Sequence, residues 1–245
     1  MNRQNHRLLL VLLLMSVVFC VGCMHRRCVL LTGYGPPTNE MLRPFSKNRA
    51  LNPDGWQGKN WQGTGYDVVS YFPTFGKGTD VNPKGSGDFE VDYQDTLGDF
   101  RWLTLTLRPE VIICYGQGDG PWEIEQNIPF RQHWRYDYKE PKLPDCFCGY
   151  IERHNFGDVL GSTLPVEKIE EAVSNKVPGL RAWVDWEGDP GDFLGGYLAY
   201  LAADYQETHE NCKAAGFIHV GGDIDIQTAR KANEITLKTV INNIR

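Results

Sequence analysis

The chain has no apolar run long enough to cross a bilayer, no basic stripe and no cysteine framework, and each lack removes a class of function. Its longest such run, Leu8–Gly22, is fifteen residues, whereas a spanning helix needs roughly 20. Twenty-five Lys and Arg stand against 31 Asp and Glu, a net charge of -6, so no positive surface is available for phosphates and nucleic acid is not the expected partner. The seven cysteines fall at 20, 23, 28, 114, 146, 148 and 212. Cys146 and Cys148 lack a second pair at zinc-ribbon spacing, so no structural zinc site is expected. The 26 glycines and 14 prolines among 245 residues are too few for a low-complexity chain and enough for long, turn-rich loops. With 41% apolar residues, one sizeable core is the expectation.

What is present begins with a leader. Arg3 and Arg7 precede the Leu/Val run, which has signal-peptide length and ends Cys20-Val21-Gly22-Cys23,. Residues 1–23 thus read as a signal peptide. The ending resembles a bacterial lipoprotein processing site with Cys23 as the lipidated residue, which gives an exported protein touching the membrane only through its anchor. A start at Met24, followed directly by a strand, is the alternative and gives a cytoplasmic protein.

Val29-Leu30-Leu31, Val68–Phe72 and Val111–Tyr115 are continuous apolar runs ending near loop signals, the pattern of parallel strands covered on both faces. Val166, Ile169 and Val173, and later Leu237, Val240, Ile241 and Ile244, recur at helical spacing,. The class is α/β. Asp189-Pro190-Gly191-Asp192 has the form of a helix start, with Asp189 as N-cap. Lys77–Asp88 and the region from Phe130 to Gly161 read as surface loops within one domain. Trp56-Gln57-Gly58 and Trp61-Gln62-Gly63 read as a turn pinned by two tryptophans, or else an aromatic patch for a ligand.

Several residues offer chemistry. Gly116-Gln117-Gly118 follows a strand, where a loop can bring backbone N–H groups to a ligand, but Pro121-Trp122 stands where a phosphate loop needs Lys and Ser/Thr. Glu123 and Glu125, two apart, share a face on extended backbone and raise each other's pKa if buried; an exposed acidic edge is the default expectation. His219 ends the apolar strand Gly216–Val220 and reads first as a satisfied core histidine. Asp223 and Asp225 suggest a helix cap more readily than a metal site.

Taken together, Leu30-Leu31-Thr32-Gly33-Tyr34-Gly35-Pro36, Gly116-Gln117-Gly118, Ser162-Thr163-Leu164-Pro165-Val166, Pro190-Gly191-Asp192-Phe193-Leu194 and Gly216-Phe217-Ile218-His219-Val220 resemble, in order and spacing, the pyroglutamyl peptidase I (pyrrolidone-carboxylate peptidase) family over residues 28–245. The resemblance implies a three-layer α/β/α sandwich with a mostly parallel mixed sheet, a homo-oligomer, no cofactor or metal, and removal of N-terminal pyroglutamate by a Cys-His pair with a supporting Glu. His219 matches the general base and Glu125 the acid, with Glu123 as the other candidate because the loop from Gly120 is about two residues short. Tyr34 matches an aromatic that packs on the pyroglutamate ring. Pro37 stands where a second aromatic is usual, and Gly35, Gln117 and Gly118 fall at the substrate loops.

The nucleophile departs from the pattern. Gly195 occupies the cysteine position, and no Ser, Thr or Cys lies between 187 and 200. Loss of a nucleophile costs about 10⁶ in turnover, roughly 8 kcal/mol of barrier. The implied protein keeps a pocket for a peptide N-terminus or pyroglutamate-like ligand without the thiol mechanism. Two alternatives stand beside it: an active peptidase drawing its thiol from Cys146 or Cys148, and a surface lipoprotein whose Trp-rich segment binds a partner.

Overall fold

From Cys28 to Leu31 every side chain is buried, yet successive residues enter different cores: Cys28 and Leu30 one, Val29 and Leu31 the other. A strand behaves this way only when helices cover both faces of its sheet. The computed structural model describes residues 26–74, 87–137 and 154–244. Its strands are β1 (Arg27–Tyr34), β2 (Tyr66–Tyr71), β3 (Val111–Gly118), β4 (Trp122–Glu125), β5 (Asn127–Pro129), β6 (Val159–Gly161), β7 (Trp183–Asp185) and β8 (Ala214–Gly221). Its helices are α1 (Pro36–Leu42), α2 (Tyr93–Leu107), α3 (Val166–Lys176), α4 (Leu194–Thr208) and α5 (Ile226–Asn243).

Six strands form a sheet in the order β2-β1-β3-β8-β4-β7. The first four are mutually parallel, β4 is antiparallel to β8, and β7 is parallel to β4. Met41 and Leu42 of α1, Ile169 and Val173 of α3, and Leu237, Val240 and Ile241 of α5 pack on one face. Phe100 and Leu103 of α2 and Leu198 and Leu201 of α4 pack on the other, joined by Ile128 and Leu160 of the β5–β6 hairpin. The architecture is the expected three-layer α/β/α sandwich on a mostly parallel mixed sheet.

Local signals account for most boundaries. Asp92 caps α2 by accepting from the Asp95 N–H, and Asp225 caps α5 by accepting from the Thr228 N–H,. The tryptophan repeat is a pinned turn: Trp61 is buried, Trp56 Nε1 donates to the Val68 carbonyl at 2.8 Å, and a Cβ at Gly58 would lie 1.8 Å from that carbonyl oxygen.

Two expectations are corrected. Asp189 does not cap α4, which starts later, at Leu194, after Phe193. Gly191, at φ 89°, turns the chain out of helical geometry first, and the Asp189 carboxylate is taken by the Gly191 N–H and by Arg131. Gly116–Gly118 is not a loop after the strand but its last three residues, paired in register with His219–Gly221. The leader with Cys23, most of the Lys77–Asp88 segment, and Cys146 and Cys148 lie outside the described residues.

Candidate functional site

The register of β4 on β8 builds the site. Glu123 sits opposite His219 and Glu125 opposite Phe217. Trp122 and Ile124 point into the core that Val29 and Leu31 enter, so alternation sends both glutamates, Phe217 and His219 to the face covered by α4. The exposed acidic edge expected for Glu123 and Glu125 is therefore corrected: β4 is an interior strand, flanked by β7 and β8. Glu125 is fully buried and Glu123 half-buried.

Glu125 Oε1 lies 2.9 Å from His219 Nδ1, and its other oxygen accepts the Asp189 N–H at 2.6 Å. A carboxylate on Nδ1 fixes the imidazole tautomer and leaves Nε2 as the basic nitrogen. Glu123 Oε2 is 3.6 Å from the same Nδ1. Burial pushes the Glu123 carboxyl above its ordinary range, the Glu125 charge adds to this, and His219 opposes it,. His219 is thus no plain core histidine: its side chain is 16% exposed and held by a carboxylate.

The glycines of β3 make room for these side chains. A Cβ at Gly118 would lie 2.7 Å from His219 Cβ, and one at Gly116 would lie 2.6 Å from Phe217 Cζ. Gly195, in the first turn of α4, is different. A Cβ there would meet Phe217 Cε2 at 3.4 Å, Phe217 Cζ at 3.5 Å and Gly116 Cα at 3.9 Å, all ordinary contacts. The Phe217 ring in turn stands edge-on to His219, with centroids 4.8 Å apart. Gly195 and His219 therefore flank one ring, and the first turn of α4, which no side chain caps, begins there with N–H groups free of intrahelical partners,.

The described cysteines offer no activated thiol. Cys28, Cys114 and Cys212 are free and buried, and burial pushes each thiol up to about 12. Such thiols carry almost no thiolate at neutral pH.

The residues expected to meet substrate fall in two groups. Gln117 is exposed, and with Gly118, Asp119, Gly221 and Asp223 it lines a cleft of about 460 Å³ at the carboxyl ends of β3 and β8, a cleft that none of Glu123, Glu125, Gly195 and His219 lines. Gly35, at φ 121°, lies so close to Gln117 that a Cβ would come within 2.7 Å of the Gln117 Cβ. Tyr34 and Pro37, by contrast, are buried. The Tyr34 ring stacks on Phe89 and its hydroxyl donates to the Glu90 carbonyl at 2.9 Å, so it offers a ligand little surface. Sequence reasoning missed the Asp189 N–H on Glu125 and the placing of Glu123 opposite His219. The Glu-x-Glu spacing beside a strand pattern was the available signal for the second.

The molecule is thus an α/β/α sandwich carrying an acid–histidine pair near the carboxyl ends of its central strands. No family model matches the chain, and no curated protein does. Solved structures do match it. The pyrrolidone carboxyl peptidase of the hyperthermophile Pyrococcus furiosus aligns with a TM-score of 0.66 at 16% identity, over 89% of this chain and 100% of that one. Pyroglutamyl peptidase I of Bacillus amyloliquefaciens aligns with a TM-score of 0.61 at 19% identity, over 89% and 98%. At these identities the likeness is one of fold, and the fold is that of the pyrrolidone carboxyl peptidases.

Proposed function

We propose that this chain is a pyroglutamyl peptidase-like protein that lacks the cysteine-peptidase mechanism and keeps a pocket for a small ligand or a peptide N-terminus. The observation that carries this reading is the Glu125–His219 pair at 2.9 Å, set beside a first helical turn whose Gly195 has no side chain. A glycine offers no atom for acyl transfer, and the buried thiols of Cys28, Cys114 and Cys212 are no replacement. The cleft at Gln117 and Gly118 supports a ligand entering from the carboxyl ends of β3 and β8. Supply of a thiol by Cys146 or Cys148 is the competing reading, and it predicts activity lost on alkylation of those residues.

The test of the pocket is thermal. Pyroglutamate at about 100 times its dissociation constant raises stability by about 2.7 kcal/mol, read as a rise in melting temperature. No rise at millimolar pyroglutamate contradicts the pocket. We also propose export through the leader, acylation at Cys23 and assembly as a homo-oligomer. Metabolic palmitate labelling of the mature chain tests the second, and an unlabelled soluble product starting at Met24 overturns it.

A further inference from the structure

The half-buried Glu123 carboxylate faces Glu125 and His219 without a hydrogen bond of its own. Its side chain is 15% exposed, yet among the described residues it accepts no hydrogen bond, and His219 Nδ1 stands off at 3.6 Å. A carboxylate partly withdrawn from water gains from a donor or a cation. The groups around it make matters worse: Glu125, Asp185 and Asp119 all add negative field, and only His219 opposes them.

We propose that Glu123, Glu125 and His219 bind one divalent transition-metal ion of the zinc class. This rests on the reading that Gly195 leaves the site without a thiol. Three donor atoms, one from each residue, lie within 4.8 Å of one another. A tetrahedral ion with ligand bonds of about 2.0–2.2 Å sets its donors about 3.3–3.6 Å apart. The distances from His219 Nδ1, 2.9 Å to Glu125 Oε1 and 3.6 Å to Glu123 Oε2, bracket that edge, so small side-chain shifts admit the ion. The imidazole favours zinc, nickel or ferrous iron over magnesium and calcium, which prefer all-oxygen shells. The Asp189 N–H on the outer oxygen of Glu125 orients that ligand, as outer hydrogen bonds do in metal sites. Binding displaces the Nδ1 proton, so affinity falls as pH falls. Three protein ligands leave at least one position for water or a bound molecule.

The probe is cobalt(II), added to the full chain after chelation and then displaced by zinc. The expected result is one equivalent bound, visible ligand-field absorption, and no thiolate-to-cobalt charge transfer in the near-ultraviolet. E123Q weakens binding at least about tenfold and H219Q removes the absorption, with folding of each checked by circular dichroism. Less than one equivalent bound, unaltered binding in a folded E123Q, or a thiolate band overturns the proposal. Should neither variant fold, the wild-type spectrum decides alone. Pyroglutamate stabilisation measured in chelator reports on the pocket separately, so either reading can fail without the other.

Discussion

The end of β3 and the start of α4 both present glycine to Phe217, and the two ends differ in what a side chain would do there. A Cβ at Gly118 would abut the Cβ of His219 at 2.7 Å, an atom fixed by the backbone that cannot move aside, and one at Gly116 would be as tight, 2.6 Å from the Phe217 ring. Gly195 has ordinary clearance. The β3 glycines are thus required by packing around the acid–histidine pair, whereas Gly195 answers to no crowding. Its neighbour Gly196 is crowded, with the Gly191 carbonyl oxygen 2.1 Å from a Cβ, so the clearance belongs to one position. On the proposed reading Gly195 stands where a functional atom would be, and a Cβ there meets only ordinary contacts.

That contrast can be broken from the crowded side first. Glu125→Ala strips His219 Nδ1 and the Asp189 N–H of their shared acceptor, and the loss of a buried partner costs about 3 kcal/mol; urea unfolding with an unchanged slope checks it. Gly118→Ala forces Cβ against Cβ and costs about 2 kcal/mol, with the His219 ring resonances shifted in NMR spectra. If the Gly118→Ala chain proved as stable as the parent, β3 would have slack beside His219 and the crowding argument would fail.

The open side should respond in the opposite direction. Gly195→Ala fills ordinary space in a helical turn and raises stability by up to about 1 kcal/mol, the helix-propensity difference, read as a higher midpoint in urea. The smallest effect concerns pH, measured in chelator. The folded state holds the Glu123 proton to higher pH than the unfolded state does, because burial raises this carboxyl. Its contribution to stability is therefore full below the ordinary glutamate range and declines as pH rises through the folded value. E123Q removes that decline, and a stability–pH curve identical to the parent's would refute the assignment.

Much of this contrast was legible in the sequence, and the part that was not has a physical reason. Apolar runs at Val29–Leu31 and Val111–Tyr115 announce strands buried on both faces because neither has a polar residue to spare for solvent. Asp225 announces the cap of α5 because a carboxylate next to a helical pattern has few other uses. Gly116–Gly118 misleads, since two glycines in three residues usually mark a turn, and here they mark clearance for side chains from a neighbouring strand. Glu123 and Glu125 mislead for the same reason: burial of β4 depends on β7 and β8, which begin only at Trp183 and Ala214. Asp189-Pro190 carries a correct helix signal at the wrong register, because the φ of Gly191 is set by the loop around it.

The central proposal is that Gly195, across the Phe217 ring from the acid–histidine pair, occupies the position of a lost nucleophile. Hydrolysis of a chromogenic pyroglutamyl amide, followed for the purified chain and for Gly195→Cys side by side, tests it most directly. The account predicts no turnover by the parent, and in the variant both an alkylatable thiol of lowered pKa and measurable release of chromophore. Turnover by the parent above about 1 s⁻¹, the lower range of ordinary enzymes, would contradict it.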